Sequence, residues 1–208
     1  LHIIKTQKDS VLAVSWRDES SLFSASLDRS IKLFDTTTKL PIQEFKGHSR
    51  GVSAVSLLKD GKTLVSAGID QSLRVWNLQT GELIRSLDQH TGFVHALALR
   101  PNNEGLPMVA SAAEDRTIRF WQPTIGRMIR YVRLKAVPLN IAWLKDGSRI
   151  LASCKDGHLR VIDPVQVVVT QDLSSIDGWA YSIAVHPTDG SVVVGGTNGQ
   201  VRRVFPGS

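Results

Sequence analysis

The sequence predicts an all-β fold: four-stranded antiparallel sheets, repeated five times and arranged radially. Three observations predict it. There is a fixed internal period, the hydrophobic pattern within each period alternates by two, and the first strand of each unit has one large and one small face. Five segments are similar: SASLDRSIKLFD (24–35), SAGIDQSLRVWN (66–77), SAAEDRTIRFWQ (111–122), ASCKDGHLRVID (152–163) and VGGTNGQVRRVF (194–205). Their turn residues, Asp28, Asp70, Asp115, Asp156 and Asn198, are spaced by 42, 45, 41 and 42 residues. The longest interval holds the segment 100–107, where an insertion expands a loop.

Each unit reads as four strands. In the second they are 52–57, 63–66, 72–76 and 82–87, separated by Lys59-Asp60-Gly61-Lys62, a short turn, and Gln79-Thr80-Gly81. Asp-Gly pairs at 60–61, 146–147, 156–157 and 189–190 favour tight hairpins, because glycine reaches positive φ without steric cost. No segment carries a convincing helical pattern. The large face of the first strands is Val14/Trp16, Val55/Leu57, Leu97/Leu99, Ile141/Trp143 and Ile183/Val185. The other is small: Ala13/Ser15, Ala54/Ser56, Ala96/Ala98, Asn140/Ala142 and Ser182/Ala184. Small faces suit the narrow end of a wedge, where radial sheets crowd near an axis, so the expected architecture is a β-propeller rather than a sandwich.

The chain reads as one repeat domain, 1–208, with blades at approximately 6–45, 46–87, 88–134, 135–173 and 174–205. Residues 1–5 align with the outer strands 41–45 and 82–87, and the fifth unit stops after three strands. Residues 1–5 are therefore expected as an outer strand. Either they pair with 200–205 and close a five-blade ring, or they belong to a preceding blade of a larger one.

Composition narrows the classes. The chain carries 25 Lys+Arg against 19 Asp+Glu, net +6, with 42% hydrophobic and 21% charged residues. That argues against disorder, and no apolar run approaches the roughly 18 residues of a membrane span. The single Cys154 excludes an intrachain disulfide framework and a multi-cysteine zinc site. The chain begins at Leu1, so it is read as a piece of a longer polypeptide or a mature form. The default expectation for compartment is a soluble cytoplasmic protein, or the bacterial periplasm if a signal precedes it.

With Gly47-His48, the turn aspartates, and the strand-ending pairs Phe34-Asp35, Trp76-Asn77 and Trp121-Gln122, the sequence resembles the WD-repeat (tryptophan-aspartate repeat) β-propellers over essentially its whole length. No unit has the literal Trp-Asp pair. The resemblance implies rings of seven or eight blades more often than five, and a buried network of His, Ser/Thr, turn Asp and Trp. Two units hold all four members: His48, Ser66, Asp70, Trp76, and His90, Ser111, Asp115, Trp121. The first is partial, with Gln7, Ser24, Asp28 and Phe34. The fourth and fifth lack His and Trp, so apolar packing is expected to hold them.

Such a network superficially resembles a Ser-His-Asp nucleophilic site. Repetition at one phase and the absence of G-x-S-x-G favour a structural role, so no catalytic residues are assigned. His90 and His95 have no thiol or carboxylate cluster that would make a metal site, and no metal or cofactor is expected. Much of the basic excess recurs at one repeat phase, as Lys32, Arg74, Arg119, Arg160 and Arg202, which reads as a framework position. Arg127, Arg130 and Arg133 on one outer strand, with Arg149, are the candidate basic edge. No basic-aromatic nucleic-acid motif accompanies them.

The resemblance also places partner-binding positions on the face that carries the turn aspartates, flanking the start of each first strand and just before each turn residue. They are Ser10, Leu12 and Leu27; Gly51, Ser53 and Ile69; Phe93, His95 and Glu114; Val137, Leu139 and Lys155; and Trp179, Tyr181 and Thr197. Trp179, Tyr181, Phe93, Leu139, Leu12 and Ile69 form the apolar set, with His95, Glu114 and Lys155 as polar handles. The expected function is a non-catalytic scaffold that binds a protein or peptide there. Alternatives are an accessory propeller of a larger bacterial enzyme, kinase or cytochrome-type protein, since units such as DGHLRVIDP look more bacterial than animal, and, more weakly, a basic nucleic-acid scaffold.

Overall fold

The structure, a computed structural model, describes residues 7–101 and 105–206. The outer strand expected at 1–5 lies outside the described residues. The chain divides into two compact units, Leu1–Val94 and His95–Ser208.

The first unit contains two antiparallel sheets. One orders β1 (Val11–Trp16), β2 (Ser21–Ser26), β3 (Ser30–Asp35) and β4 (Pro41–Lys46) sequentially. The other does the same with β5 (Val52–Leu57), β6 (Thr63–Gly68), β7 (Leu73–Asn77) and β8 (Leu83–Leu87). The second unit has three sheets. They are β9 (Val94–Leu99), β10 (Val109–Ala113), β11 (Thr117–Gln122) and β12 (Arg127–Arg133); then β13 (Pro138–Trp143), β14 (Ile150–Cys154), β15 (His158–Asp163) and β16 (Val168–Ser174); then β17 (Ala180–Val185), β18 (Val192–Gly196) and β19 (Val201–Val204). Each sheet is one sequence repeat folded as a meander. The only helical element among the described residues is a single 3₁₀ turn, Thr197–Gly199, inside the fifth repeat.

The turn residue explains how each β2–β3 type hairpin closes. The residue after it is left-handed: Arg29 (φ 73°), Gln71 (70°), Arg116 (62°) and Gly157 (80°). Three of these are not glycine, so the turn needs an anchor. The aspartate supplies it, one oxygen accepting from a backbone N–H two residues on: Ser30, Ser72, Thr117 and His158. In the fifth sheet Asn198 itself takes φ 60°, which asparagine tolerates, and the neighbouring Gly199 takes 69°.

Packing follows the large and small faces. In the first unit, Val55, Leu57, Leu64 and Trp76 of the second sheet seat against Ala13, Phe23, Ala25, Leu33 and Phe45 of the first. Phe45 meets Trp76 edge-on at 5.9 Å. In the second unit, Ile141, Trp143 and Ile150 seat against Ala96, Ala110, Ala112 and Phe120, and the Trp143 indole donates to the Ala98 carbonyl at 3.0 Å. Ile183, Val185 and Val194 then seat against Leu151, Leu159 and Val161. The large first-strand face packs on the preceding sheet all three times, and in the first two the small residues Ala13 and Ala96 of that sheet take part. Each fully buried apolar side chain contributes about 1.5–3 kcal/mol. At the corresponding positions of the first sheet, Val14 and Trp16 are 69% and 63% exposed.

Candidate functional site

Two constellations carry polar chemistry, and burial separates them. In the second sheet His48 Nδ1 lies 2.9 Å from Asp70 Oδ2, His48 Nε2 lies 2.7 Å from Ser66 Oγ, and the Trp76 indole donates to Ser66 Oγ at 2.8 Å. A carboxylate only accepts, so the imidazole proton sits on Nδ1, and Ser66 donates to Nε2 while accepting from Trp76. Gly47 precedes His48 because a Cβ there would lie 2.9 Å from the Trp76 ring. Burial would raise the Asp70 pKa. The hydrogen bond from His48 outweighs it, with those from Ser72 and the Ser49 N–H, and holds the carboxyl well below the usual range. Ser66 is fully buried, so no substrate reaches its hydroxyl.

The other repeats vary this scheme. In the third, Trp121 donates to Ser111 Oγ at 2.8 Å and Asp115 accepts from Thr117, while the buried His90 belongs to the first unit. In the first, Gln7 takes the histidine's place, donating to Ser24 Oγ at 2.6 Å and accepting from Ser30 Oγ at 3.0 Å.

The fourth repeat has the expected apolar packing and adds an ion pair to it. Ala152 and Ile162 stand where Ser66 and Trp76 stand, and Leu134 occupies the connection corresponding to the one that carries His48; all three are buried. The leftover Asp156 is gripped by Arg160, Nη1 to Oδ1 at 2.9 Å and Nη2 to Oδ2 at 2.6 Å, and Arg160 Nε reaches Asp172 at 3.3 Å. Arg74 and Arg119 make the same approach to Asp70 and Asp115 more distantly, at 4.0 and 3.6 Å. At Arg74, Arg119 and Arg160 the repeated basic phase therefore is a framework position that faces the turn aspartate. The candidate basic edge is also engaged: Arg130 donates to the Val165 carbonyl at 2.6 Å and Arg149 pairs with Asp163 at 3.3 Å.

The second constellation is accessible. The sequence-selected positions form one structural set, because a single backbone bond recurs across them: Leu27 N to Ser10 O, Ile69 N to Gly51 O, Lys155 N to Val137 O, and Thr197 N to Trp179 O, all 2.8–3.0 Å. Beside each bond the first strand bulges. The pairing register skips at Leu12, Ser53, Leu139 and Tyr181, leaving these residues outside the regular pairing. A bulge re-aims its side chain. Ser53 is spent internally, donating to the carbonyls of Ala67 and Val94. Leu12 and Phe93 are exposed and Ile69 is half-buried, all in the first unit, and Leu139 is half-buried at the β13 bulge.

In the second unit five of the nine predicted residues join into one string across three sheets. His95 Nε2 holds Glu114 Oε2 at 2.7 Å; Lys155 Nζ lies 3.4 Å from Glu114 Oε1 and 4.5 Å over the Trp179 ring; Trp179 meets Tyr181 edge-on at 5.8 Å. The His95 hydrogen bond lowers the Glu114 pKa, burial opposes it, and the Lys155 charge adds to the lowering. Trp179 and Tyr181 remain 42% and 50% exposed. The loop beneath Trp179 is fixed. Thr197 Oγ1 accepts from the Trp179 N–H at 3.1 Å and donates to the Asp177 carbonyl at 2.8 Å, and the Asp177 N–H donates to Gln200 Oε1 at 3.0 Å. Gly178 supplies the left-handed turn, φ 100°, just before the tryptophan. Asp177 and Gln200 were not legible as supports: Gln200 falls at the phase of Ser30 and Ser72, but its reach to the Asp177 N–H is not encoded there.

Among the described residues no helix is long and apolar enough to cross a membrane. Three relatives share partial similarity. The WD repeat-containing protein AAC3 of Dictyostelium discoideum is 33% identical over 72 residues, 35% of this chain and 15% of that protein. Coronin-7 of Bos taurus is 33% identical over 58 residues, 27% of this chain and 6% of that protein. The mRNA export factor rae-1 of Caenorhabditis elegans is 30% identical over 86 residues, 38% of this chain and 23% of that protein. The similarity thus spans less than a quarter of each relative. The WD domain, G-beta repeat, matches residues 1–35, 39–77, 81–122 and 136–163, more than half of the sequence, and with five repeat sheets and a His-Ser-Asp-Trp network the chain belongs to the WD-repeat family.

Proposed function

We propose that the protein is a non-catalytic interaction scaffold and that a protein partner docks on the His95–Glu114–Lys155–Trp179–Tyr181 surface. The observation that carries this reading is the string itself: two half-exposed aromatic rings, a cation and a carboxylate, fixed by three sheets and a braced loop. Exposed aromatics on rigid backbone bind at low entropic cost, and aromatic anchors with polar neighbours are the usual energetic centre of interfaces. The Ser-His-Asp look-alike is sealed inside the second sheet, which supports the non-catalytic reading.

The test is affinity capture with the full-length protein against a Trp179→Ala/Tyr181→Ala variant, alongside thermal melting. The expected result is loss of captured partners with a midpoint moved by no more than about 4 °C. Unchanged capture, or a collapse of the melting transition, overturns the assignment.

A further inference from the structure

Resting on the docking surface just described, we infer that it recognises a cationic side chain, arginine or lysine, of the partner, and that Lys155 is the protein's own stand-in for that cation. Glu114 presents a carboxylate, and the faces of Trp179 and Tyr181 present the negative side of their quadrupoles. An incoming anion would meet like charge at Glu114 and unfavourable ring faces. A cation finds all three groups favourable, and Lys155 already demonstrates the fit at 4.5 Å from the Trp179 ring and 3.4 Å from Glu114 Oε1.

The two contacts to Glu114 differ in a way that makes Lys155 replaceable. His95 holds Oε2 at 2.7 Å, a short bond that fixes the carboxylate. Lys155 stands at 3.4 Å from the other oxygen, longer than a well-formed charged hydrogen bond, on a flexible stem about one-third exposed. The carboxylate stays while the lysine swings out. A planar guanidinium gains more than an ammonium here, since it stacks on the ring and offers two donors to Glu114.

The experiment follows the Trp179 indole N–H signal by NMR in full-length protein, titrated with blocked pentapeptides Ac-Gly-Ala-Xaa-Ala-Gly-NH2 where Xaa is arginine, citrulline or glutamate. The Lys155→Met variant, with Lys155→Gln as a second in case the first is poorly folded, is expected to bind the arginine peptide at least about fivefold tighter than the parent. The citrulline peptide should bind at least about tenfold more weakly, and adding Glu114→Gln should remove the gain. Equal or weaker binding by both lysine variants overturns the inference, as does a parent protein that prefers the glutamate peptide. If arginine shows no advantage yet the Trp179→Ala/Tyr181→Ala variant still loses its partners, the cation reading falls and the docking surface stands.

Discussion

Arg160 grips Asp156 with two nitrogens, at 2.6 and 2.9 Å, in the sheet where histidine, serine and tryptophan have all been replaced by apolar residues. Removing the histidine removes the hydrogen-bond donor that holds the turn aspartate in the second sheet. The arginine four residues on, which in the second and third sheets only leans toward the aspartate, closes onto it. The same framework position thus stands in two settings, distant from the aspartate at Arg74 and Arg119 and closed onto it at Arg160.

The side chain of Arg160 is 3% exposed while that of Asp156 is 36% exposed. Breaking a buried ion pair costs about 3–5 kcal/mol, but the aspartate can rehydrate, so Arg160→Met is expected to cost about 2 kcal/mol. Urea unfolding should show the lowered midpoint. An unchanged midpoint would mean that apolar packing alone suffices for this sheet.

Asp70 gives the second sheet a pH dependence whose sign is fixed. Its folded pKa is depressed below the ordinary 3.8. The unfolded chain therefore binds more protons across the acid range, and stability rises with pH there. The contribution is full above about pH 5 and drains away as pH falls through 4 toward the folded value. Asp70→Asn should lower stability at pH 7 and flatten the acid limb between about pH 4 and 2, as measured by denaturant midpoints. A variant with the same acid slope as the parent would place the stabilisation elsewhere.

Trp16 and Leu57 occupy the same register position in adjacent repeats and differ in cover. Leu57 packs into the cluster of Phe23, Phe45 and Trp76, and Trp16 stands in solvent. Leu57→Ala should cost about 2 kcal/mol, at the low end for a core truncation because the side chain is only partly buried. Trp16→Ala should cost less than about 0.5 kcal/mol. Comparable losses in chemical denaturation would show that something covers the Trp16 face in solution.

Fold legibility came from repetition. A turn aspartate every 42 residues or so, with alternation of period two between, left little freedom in placing strands. The candidate site was legible through the family resemblance, which names the repeat phases to inspect. His95, Glu114, Lys155, Trp179 and Tyr181 were selected by phase and are joined by contacts. What phase does not encode is side-chain reach. Arg160 reads the same as Arg74 and Arg119, yet it closes onto its aspartate where they stand off. The β-bulges that free Leu139 and Tyr181 are also invisible, because they arise from a mismatch in pairing between two strands rather than from either strand's composition.

Cys154 offers a readout of whether the Arg160 clamp holds the fourth sheet closed. The thiol is fully buried at the end of β14, and burial pushes its pKa up to about 11 despite the favourable approach of Arg160. At pH 8 only about one thiol in a thousand would be ionised, and the thiolate is the reactive form, so native protein should resist a thiol reagent such as dithionitrobenzoate. Labelling then proceeds through transient opening, and its rate reports the opening free energy. If Arg160→Met costs the sheet about 2 kcal/mol, Cys154 should label about thirtyfold faster. Arg74→Met, whose arginine stands 4.0 Å from an aspartate already held by His48, should leave that rate unchanged. Equal acceleration by both variants would show that the framework arginines act through general stability and that Arg160 has no special part in closing its own sheet.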